Sequence, residues 1–407
     1  MNVLDGNAVR ELFEHVANLL FEVTESCNFN CAYCGYGKNY VQPELRPLNS
    51  KRFMSWETAK ALLDTFLPLW KKYGKVRRHV IISFYGGEPL LNFPLIRKVV
   101  EYVDDNKPEA YEIQYYMTTN GYFLRKHISF LVEHNFTVGV SLDGDRRADS
   151  YRQFHNGKET FPSVRENLDY VRQAYPDFFE KNLSFLSVLN DRATYFDVLD
   201  FFKKEFDKTP DVSNLSEANL AEGSRIPEYL RTVENDLETL YSDNPEKFAE
   251  YGIASPEKRK LTDCLKRVLP VYRTYLDFFQ GEDYRSYTKH TCSETCPPFK
   301  SRLFMTTAGY IFPCEKVDFR FPLGRVADGA VWLDFEKIAD LYNVMYSTAE
   351  RLCGHCLNRN DCKHCFISAG ELSADGVHRC PDFLPDTPAT VKKQMDYIIS
   401  HHEILFT

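Results

Sequence analysis

The sequence lacks any long apolar run, which argues against a membrane-spanning helix. No stretch of the 407-residue chain approaches the ~20 consecutive apolar residues that cross a bilayer. The apolar segment of a signal peptide is missing as well, because Asp5, Arg10 and Glu14 interrupt the first twenty residues. We therefore expect a cytoplasmic protein without a membrane partner.

The chain also lacks an excess of basic over acidic residues. Lys and Arg number 50 against 58 Asp and Glu, which gives a net charge of −8, and there is no long basic run. Nucleic acid is therefore not an expected partner. The length exceeds that of one compact domain, so we expect two core-forming units.

Cysteine is absent between Cys34 and Cys264, although the chain contains 12 cysteines. Three lie near the amino terminus and eight lie between Cys292 and Cys380. Without a signal peptide the thiols are expected to stay reduced, so this clustering favours metal ligands over disulfides. We interpret Cys264, which lies in a helical pattern outside both groups, as a buried apolar residue.

The first group has the spacing C-x3-C-x2-C, formed by Cys27, Cys31 and Cys34. Cubane iron–sulfur clusters usually have four cysteine ligands, so a three-cysteine loop suggests an iron kept open for a substrate or cofactor. The spacing, with the aromatic Tyr33 before the last cysteine, resembles that of the radical S-adenosylmethionine (SAM) enzymes. This resemblance implies a [4Fe-4S] cluster whose open iron binds SAM, with Tyr33 at the cofactor. A zinc site is the alternative for a short cysteine spacing.

A second motif, Phe-Tyr-Gly86-Gly87-Glu88-Pro, follows the apolar run Val80–Ile82. The run predicts a buried parallel strand, and glycines at its end allow the backbone to approach a ligand closely. The motif resembles the GGEP motif of the radical SAM enzymes. The resemblance implies that Gly86 and Gly87 line the SAM site and that Glu88 accepts a hydrogen bond from the SAM amino group. An ordinary turn is the alternative for the glycine pair.

Two more strand ends carry candidate SAM-binding residues. Asn120 lies in Met-Thr-Thr-Asn-Gly and Ser141 in Val-Ser-Leu-Asp-Gly, each after an apolar alternating stretch. The resemblance implies that both strand ends face the cofactor, with Ser141 near its ribose or carboxylate. Arg152 is a further candidate for the carboxylate. A cap for Ser141 and a surface ion pair for Arg152 are the structural alternatives.

Apolar strand patterns alternate with amphipathic helix patterns between residues 19 and 210, which predicts a parallel sheet of the α/β class. Ligand sites in such sheets lie at the carboxyl ends of the strands. The resemblance implies a partial (β/α)6 TIM-like barrel, with a sixth strand near Val212. The predicted strands are Leu19–Thr24, Val80–Phe84, Ile113–Thr118, Thr137–Leu142 and Leu183–Leu189, and the predicted helices include Trp56–Tyr73, Leu95–Val103, Ser163–Tyr175 and Tyr195–Phe206.

We predict five segments in all: an amino-terminal helical extension (1–18), the partial barrel (19–215), a helical bridge (216–290), a cysteine-rich module (291–385) and a carboxyl-terminal helix (386–407). The bridge should contain helices at Tyr229–Leu237 and Arg259–Phe279, and the last helix should span Ala389–His401. The module has several Gly and Pro residues and little helical period, which suits a unit organised around metal.

The second cysteine group supplies eight thiolates, enough for two fully ligated clusters. Its spacing resembles the SPASM extension of radical SAM enzymes, with two residues instead of three between Cys362 and Cys365. A zinc site within Cys353 to Cys365 is the alternative. The resemblance implies two auxiliary [4Fe-4S] clusters, one held by Cys292, Cys296, Cys314 and Cys365 and the other by Cys353, Cys356, Cys362 and Cys380.

Glu315 directly follows Cys314. It lies where anaerobic sulfatase maturases, which resemble this chain, have an aspartate proposed as a base, so the resemblance implies that Glu315 is a catalytic base. An ion pair with Lys316 or Arg320 is the structural alternative.

The sequence around Cys34 and Cys296 resembles maturases of ribosomally made peptides (RiPPs) more than sulfatase maturases. This resemblance implies reductive cleavage of SAM to a 5′-deoxyadenosyl radical and oxidative modification of a precursor peptide, such as a thioether crosslink. The expected partners are the precursor peptide or protein and a reductant such as flavodoxin or ferredoxin. About twenty residues precede the first strand, so leader binding is expected from segment 216–280 or from a separate leader-peptide recognition protein. The alternatives are an anaerobic sulfatase-maturing enzyme and a non-catalytic zinc or electron-transfer protein.

Overall fold

The computed structural model describes residues 4–73, 78–216, 220–269, 295–317, 319–360, 362, 365–367, 372–373, 376–377, 380 and 383–406. Contacts within the chain separate two compact units. Ranges 10–233 and 299–334 form the barrel unit, and ranges 1–9, 234–298 and 335–407 form the cysteine-rich unit.

Six parallel strands in sequence order form the centre of the barrel unit. In the first of these strands, Asn18–Thr24, almost all residues are buried, as expected for a parallel strand covered by helices. This arrangement confirms the α/β class and the predicted parallel sheet. The strands are β1 (Asn18–Thr24), β2 (Arg78–Gly86), β3 (Tyr111–Thr119), β4 (Thr137–Ser141), β5 (Leu183–Val188) and β6 (Asp211–Ser213).

One amphipathic helix precedes the first of these strands, and others connect the strands. In the longest of them the Ser55 hydroxyl caps the amino terminus by accepting a hydrogen bond from Thr58 N, and in the last a capping box joins Thr194 and Asp197. The helix Leu124–Glu133 was not among the predicted ones. The helices are α1 (Gly6–Glu14), α2 (Trp56–Lys72), α3 (Phe93–Asn106), α4 (Leu124–Glu133), α5 (Phe161–Ala174), α6 (Pro176–Asn182) and α7 (Tyr195–Phe206).

Four short strands extend the same sheet beyond β1. In the described residues the sheet has ten strands in the order β10-β9-β8-β7-β1-β2-β3-β4-β5-β6. Leu303 of β7 pairs in parallel with Leu19 of β1, and the following strands are antiparallel. Range 299–334 therefore groups with the barrel unit, whereas we expected it in the cysteine-rich module. The added strands are β7 (Leu303–Met305), β8 (Tyr310–Phe312), β9 (Gly324–Ala327) and β10 (Ala330–Leu333).

Aromatic side chains form much of the core between sheet and helices. The ring of Phe84 on β2 lies 6.3 Å from Phe21 and 5.9 Å from Phe136, and all three are fully buried. Burying each such ring contributes about 1.5–3 kcal/mol. The high aromatic content of the chain is thus used in the core that supports the carboxyl ends of the strands.

The segment after β6 is helical, but one predicted helix is interrupted. Residues Leu230–Thr232 separate two helices, because Tyr229 O accepts from Asp191 N and Leu230 forms a bridge with Asn190 in the loop after β5. Tertiary pairing thus overrides the local helical pattern. The helices here are α8 (Ile226–Tyr229), α9 (Val233–Tyr241), α10 (Pro245–Glu250) and α11 (Pro256–Val268), and residues 270–279 of the predicted Arg259–Phe279 helix lie outside the described residues.

Our prediction of little helical period in 291–385 was wrong, because α12 (Phe335–Cys353) is a helix of 19 residues. Its buried positions include Ile338, Tyr342, Met345 and Ala349, which follow the spacing of one helix face. The hairpin of β11 (Leu372–Ser373) and β12 (Gly376–Val377) and the helix α13 (Pro388–His401) complete this unit. No described helix is both long enough and apolar enough to span a membrane.

Candidate functional site

The loop after β1 carries the first three cysteines, and hydrogen bonds to a neighbouring segment hold it in place. Asn30 N donates to Gln153 O at 2.6 Å, and Ala32 N donates to Tyr151 O at 2.9 Å. The residues between the cysteines thus pair with the segment that follows β4. The cysteine loop, residues 27–34, lies at the carboxyl end of β1, as the predicted strand Leu19–Thr24 indicated.

The three thiols of this loop are partly buried. Burial raises the pKa of Cys27 to about 12 and also raises the pKa values of Cys31 and Cys34, and the neighbouring thiols raise the pKa of Cys31 further. Without a metal the loop therefore favours protonated thiols, whereas metal binding would release the protons. Within the described part of the chain, no three Cys, His, Asp or Glu side chains form a group that could hold a single metal ion.

The two glycines at the end of β2 pack against the backbone that leads into the cysteine loop. A Cβ at Gly86, whose φ is +137°, would lie 2.0 Å from Thr24 O, and a Cβ at Gly87 would lie 2.3 Å from Ser26 O. Gly87 N donates to Thr24 O at 2.9 Å. We expected the backbone at these glycines to approach a ligand closely. Instead it approaches the backbone of Thr24 and Ser26, and this contact fixes the end of β2 against the start of the cysteine loop.

Glu88 is fully buried beside this contact. Its Oε1 accepts from Thr119 Oγ1 at 2.8 Å and from Leu90 N at 3.0 Å, and its Oε2 accepts from Asn120 N at 2.8 Å. Burial raises the pKa of Glu88 to about 7, although the three donors lower it. Three donors leave one of the ~4 lone-pair directions of a carboxylate for a further donor.

Asn120 connects Glu88 to the cysteine loop. Its Nδ2 donates to Asn28 Oδ1 at 2.9 Å and lies 3.8 Å from Cys27 Sγ, within hydrogen-bonding range of sulfur. The strand ends of β1, β2 and β3 therefore meet through side chains that belong to three predicted motifs. Sequence reasoning did not identify Thr119 or Asn28 in this network.

The residues at these strand ends fit an iron–sulfur cluster. Three thiols on one loop are the donor set of such a cluster, and Asn28 Nδ2 is buried with no hydrogen-bond partner among the described residues. Donors beside cysteine sulfurs, such as Asn120 Nδ2 at 3.8 Å from Cys27 Sγ, are a common feature of cluster sites, because they stabilise the negative charge of the cluster.

The end of β4 is arranged differently from our expectation for Arg152. Its Nη2 donates to Asp143 Oδ1 at 2.8 Å, and its Nε lies 3.5 Å from Asp149 Oδ1, with all three residues buried. The ion pair that we gave as the structural alternative is therefore present, but it is buried rather than at the surface. Ser141 is half-buried at the last position of β4, and the Tyr33 hydroxyl donates to Asp143 Oδ2.

Two acidic residues missed by sequence reasoning connect β1 to the turn between β7 and β8. Glu22 Oε2 accepts from Thr307 N at 3.1 Å, and Glu25 Oε1 accepts from Thr307 Oγ1 at 2.6 Å. Glu22 also pairs with Arg46 at 3.0 Å and accepts from Tyr36 Oη at 2.7 Å. Burial raises the pKa of Glu22 despite these partners. The sequence signal that could have identified this buried network is Glu22, a glutamate inside an otherwise apolar strand.

Glu315 forms an ion pair with neither of the partners that we considered. Arg302 Nη1 donates to both carboxylate oxygens of Glu315, at 3.0 and 2.9 Å. The Glu315 side chain is 12% exposed. Arg302 is the residue directly before β7. Whether this carboxylate acts as a base stays a prediction.

Five cysteines of the cysteine-rich unit lie in two groups of neighbouring segments. Thr295 Oγ1 accepts from Phe366 N at 3.0 Å, and the thiols of Cys296 and Cys365 both raise the pKa of Tyr346, whose largest shift comes from burial. These contacts place two predicted ligands of the first auxiliary set near one side chain. Cys314 belongs to the other compact unit, and Cys292 lies outside the described residues.

The second group surrounds Cys356. Its Sγ accepts from Leu384 N at 3.4 Å, its N donates to Cys353 O at 3.0 Å, and Cys380 O accepts from Phe383 N in the adjoining turn. The segments of Cys353, Cys356 and Cys380, three predicted ligands of the second auxiliary set, therefore lie side by side. Cys264 is buried in α11, as predicted.

Comparison with known proteins agrees with this site. Residues 21–199 match the family described as the radical SAM superfamily. An uncharacterized protein of Methanocaldococcus jannaschii is 29% identical over 249 residues, which cover 56% of this chain and 79% of that protein.

Two relatives whose names state an activity match a smaller part of the chain. The radical SAM cyclopropyl synthase TigE of Paramaledivibacter caminithermalis is 26% identical over 198 residues, or 47% of this chain, and the cysteine-type anaerobic sulfatase-maturating enzyme of Clostridium novyi is 27% identical over 192 residues, or 46%. The chain spans only 40% and 48% of the lengths of these two relatives.

A solved structure shares the fold over nearly the whole chain. Native anSMEcpe with bound AdoMet superposes with a TM-score of 0.58 at 19% identity, covering 95% of this chain and 98% of that one. The likeness supports the α/β assignment. The family match to residues 21–199 includes the three thiols at the carboxyl end of β1 and indicates a radical SAM domain there, a family that implies a [4Fe-4S] cluster and SAM as cofactors.

Proposed function

We propose that this protein is a radical SAM maturase that oxidatively modifies a ribosomally made, Cys-containing peptide, for example by a thioether crosslink. The observation that carries the proposal is the junction of three strand ends, where Asn120 connects Glu88 to Cys27. The bound cofactors would supply a 5′-deoxyadenosyl radical, which removes hydrogen from an unactivated carbon.

The residues of the chain have separate tasks in this proposal. Cys27, Cys31 and Cys34 would hold the cluster, and Glu88, with one acceptor direction unused, would receive a donor such as the amino group of SAM. The backbone around Gly86 and Gly87, Asn120, Ser141 and the ring of Tyr33 would line the cofactor. Glu88, Asn120 and Tyr33 are buried, and their burial would help to exclude water from a reactive radical.

The second electron of an oxidation requires an acceptor, for which we propose two auxiliary [4Fe-4S] clusters. The neighbouring segments of Cys296 and Cys365, and those of Cys353, Cys356 and Cys380, support the two ligand sets of the sequence hypothesis. The sequence hypothesis adds Cys292, Cys314 and Cys362 to these sets. A cytoplasmic reductant such as flavodoxin or ferredoxin would supply the first electron.

Glu315 is the proposed base for a substrate proton. Its carboxylate is held by Arg302, so proton transfer would require this ion pair to open or the substrate to replace the guanidinium. The expected result for Glu315→Gln is loss of peptide modification with SAM cleavage retained. Loss of both activities would instead assign Glu315 a structural role.

A second candidate, an anaerobic sulfatase maturase, is favoured by the shared fold with anSMEcpe and by the match to sulfatase-maturating enzymes. Mass analysis of treated peptides separates the two. Crosslinking removes two hydrogens and retains sulfur, whereas oxidation of Cys to formylglycine removes sulfur. The test uses Cys-containing peptides encoded beside the gene together with a sulfatase-type Cys peptide. We expect the loss of two hydrogens, with sulfur retained, in the peptides encoded beside the gene. Sulfur loss from the sulfatase-type peptide alone would favour the second candidate.

A further inference from the structure

Asp143 joins three elements at the end of β4. Its Oδ2 accepts from the Tyr33 hydroxyl, and its Oδ1 accepts from Arg152 Nη2 at 2.8 Å and from Val188 N at 3.0 Å. The side chain has no solvent exposure. One carboxylate thus binds the cysteine loop, the segment after β4 and the end of β5.

Through Tyr33 this carboxylate reaches the middle of the cysteine loop. Tyr33 lies between Cys31 and Cys34, its ring packs edge-on against Tyr151 at 6.4 Å, and it is only 9% exposed. Ala32 N also donates to Tyr151 O. Because ring, hydroxyl and adjacent backbone are all held, the position of the two flanking thiols depends on this anchor.

Arg152 brings a buried positive charge to the same place. Its guanidinium carbon lies 5.5 Å from the centre of the Tyr33 ring, and Cys31 is among the groups that interact with its charge. Asp143 at 2.8 Å and Asp149 at 3.5 Å are its ionisable partners. Charges buried in a low-dielectric interior act strongly on one another and on any redox centre nearby.

We propose that Asp143 is a positioning residue that fixes Tyr33 and Arg152 beside Cys31 and thereby sets both the retention and the reduction potential of the cluster held by the loop. The inference rests on the proposed function, since it requires that cluster. It also refines the sequence hypothesis, because the Tyr33 hydroxyl and Arg152 Nη2 both donate to Asp143.

The sign of the effect on the potential follows from the charges. Reduction adds a negative charge to a cluster, so a nearby cation favours the reduced state and a nearby anion opposes it. Arg152→Gln should therefore shift the potential to more negative values, and Asp143→Asn should shift it to less negative values. Arg152→Lys retains the charge and should stay closer to the wild-type value than Arg152→Gln.

The experiment uses the full-length chain, anaerobically reconstituted with iron and sulfide, and an EPR-monitored redox titration in the absence of SAM. Opposite shifts in Arg152→Gln and Asp143→Asn are the expected result, and unchanged or parallel potentials would overturn the proposed charge effect. If Asp143→Asn does not fold, the comparison of Arg152→Gln with Arg152→Lys still decides, because equal potentials in these two variants would contradict the proposal.

The anchor is tested separately by the rate of iron loss to a chelator. Tyr33→Phe should lose iron several-fold faster than the control Tyr36→Phe, whose hydroxyl donates to Glu22 and not to Asp143. Equal rates would refute the anchor. A wild-type chain that binds no cluster would contradict the proposed function itself. If the wild-type chain binds a cluster and cleaves SAM, but the variants behave like the wild type, only this inference is contradicted.

Discussion

At the scale of single residues, the site combines buried charge with tight backbone contacts. Glu88 is ionisable and fully buried, and Gly86 and Gly87 have no space for a side chain. The sequence identified all three as candidates from one motif. It did not indicate that the glycines contact the chain itself, because their partners, Thr24 and Ser26, lie some sixty residues away.

The first prediction concerns the pH dependence that Glu88 gives to stability. Its pKa is about 7 in the folded chain, above the ordinary 4.5, so the folded state binds more protons than the unfolded state between these values. The contribution of Glu88 to the free energy of unfolding therefore falls as pH rises from about 4.5 to about 7, by at most ~3 kcal/mol, and is constant above this window.

Urea unfolding of the metal-free chain between pH 4 and 8 measures this contribution. Glu88→Gln should be less stable at pH 4.5 but should lose less stability up to pH 7 than the wild type. Glu109→Gln, at an exposed position, is the control and should keep the wild-type slope. Because Glu22 and Asp149 also have raised pKa values, the difference between variants isolates Glu88, and identical slopes for both variants would refute the assignment.

The second prediction concerns Gly86. An alanine there would combine a φ of +137° with a contact of 2.0 Å to Thr24 O, so Gly86→Ala should reduce the free energy of unfolding by more than ~3 kcal/mol. Gly223→Ala is the control, since Gly223 also has a positive φ, of +71°, but has no atom near the added Cβ. It should cost about 1 kcal/mol. Similar losses in thermal or denaturant unfolding would contradict the steric explanation.

At the scale of elements, the turn between β7 and β8 is attached to β1 by Thr307. The backbone of this residue donates to Glu22 and its hydroxyl to Glu25. Our sequence analysis did not predict β7 to β10, because strands of three or four residues show too little alternation to separate them from loops. Their attachment depends on contacts nearly 300 positions apart in the chain.

The third prediction tests this attachment. Thr307→Val removes the hydroxyl that donates to buried Glu25 and keeps the shape of the side chain, so it should cost about 1–3 kcal/mol. Amide hydrogen exchange should accelerate in Leu303–Met305 and Tyr310–Phe312. Thr239→Val, which loses only an exposed hydroxyl bonded within α9, should change stability by less than about 0.5 kcal/mol. Unchanged exchange in β7 and β8 of Thr307→Val would contradict the role of this contact.

At the scale of the whole molecule, local patterns predicted the parallel sheet and its strand-end motifs. Each of the strands β1 to β5 carries its own apolar run, and each motif follows its strand directly, whereas β6 contains a single apolar residue, Val212. The hydrogen-bond and ion-pair partners of the functional side chains could not be predicted from local patterns. Asp143 and Tyr33 are 110 positions apart, and Glu315 pairs with Arg302 instead of a neighbour in the chain, so only the folded structure brings these charges together.

The central claim is that Cys27, Cys31 and Cys34 hold a cluster at which SAM is cleaved, and formation of 5′-deoxyadenosine tests it most directly. The chain would be reconstituted anaerobically with iron and sulfide and mixed with SAM and dithionite. Wild type and the control Cys264→Ala, which changes a buried cysteine outside both groups, should form 5′-deoxyadenosine, while Cys31→Ala should form none. Zinc in place of iron in the loop, or full product yield from Cys31→Ala, would contradict the account.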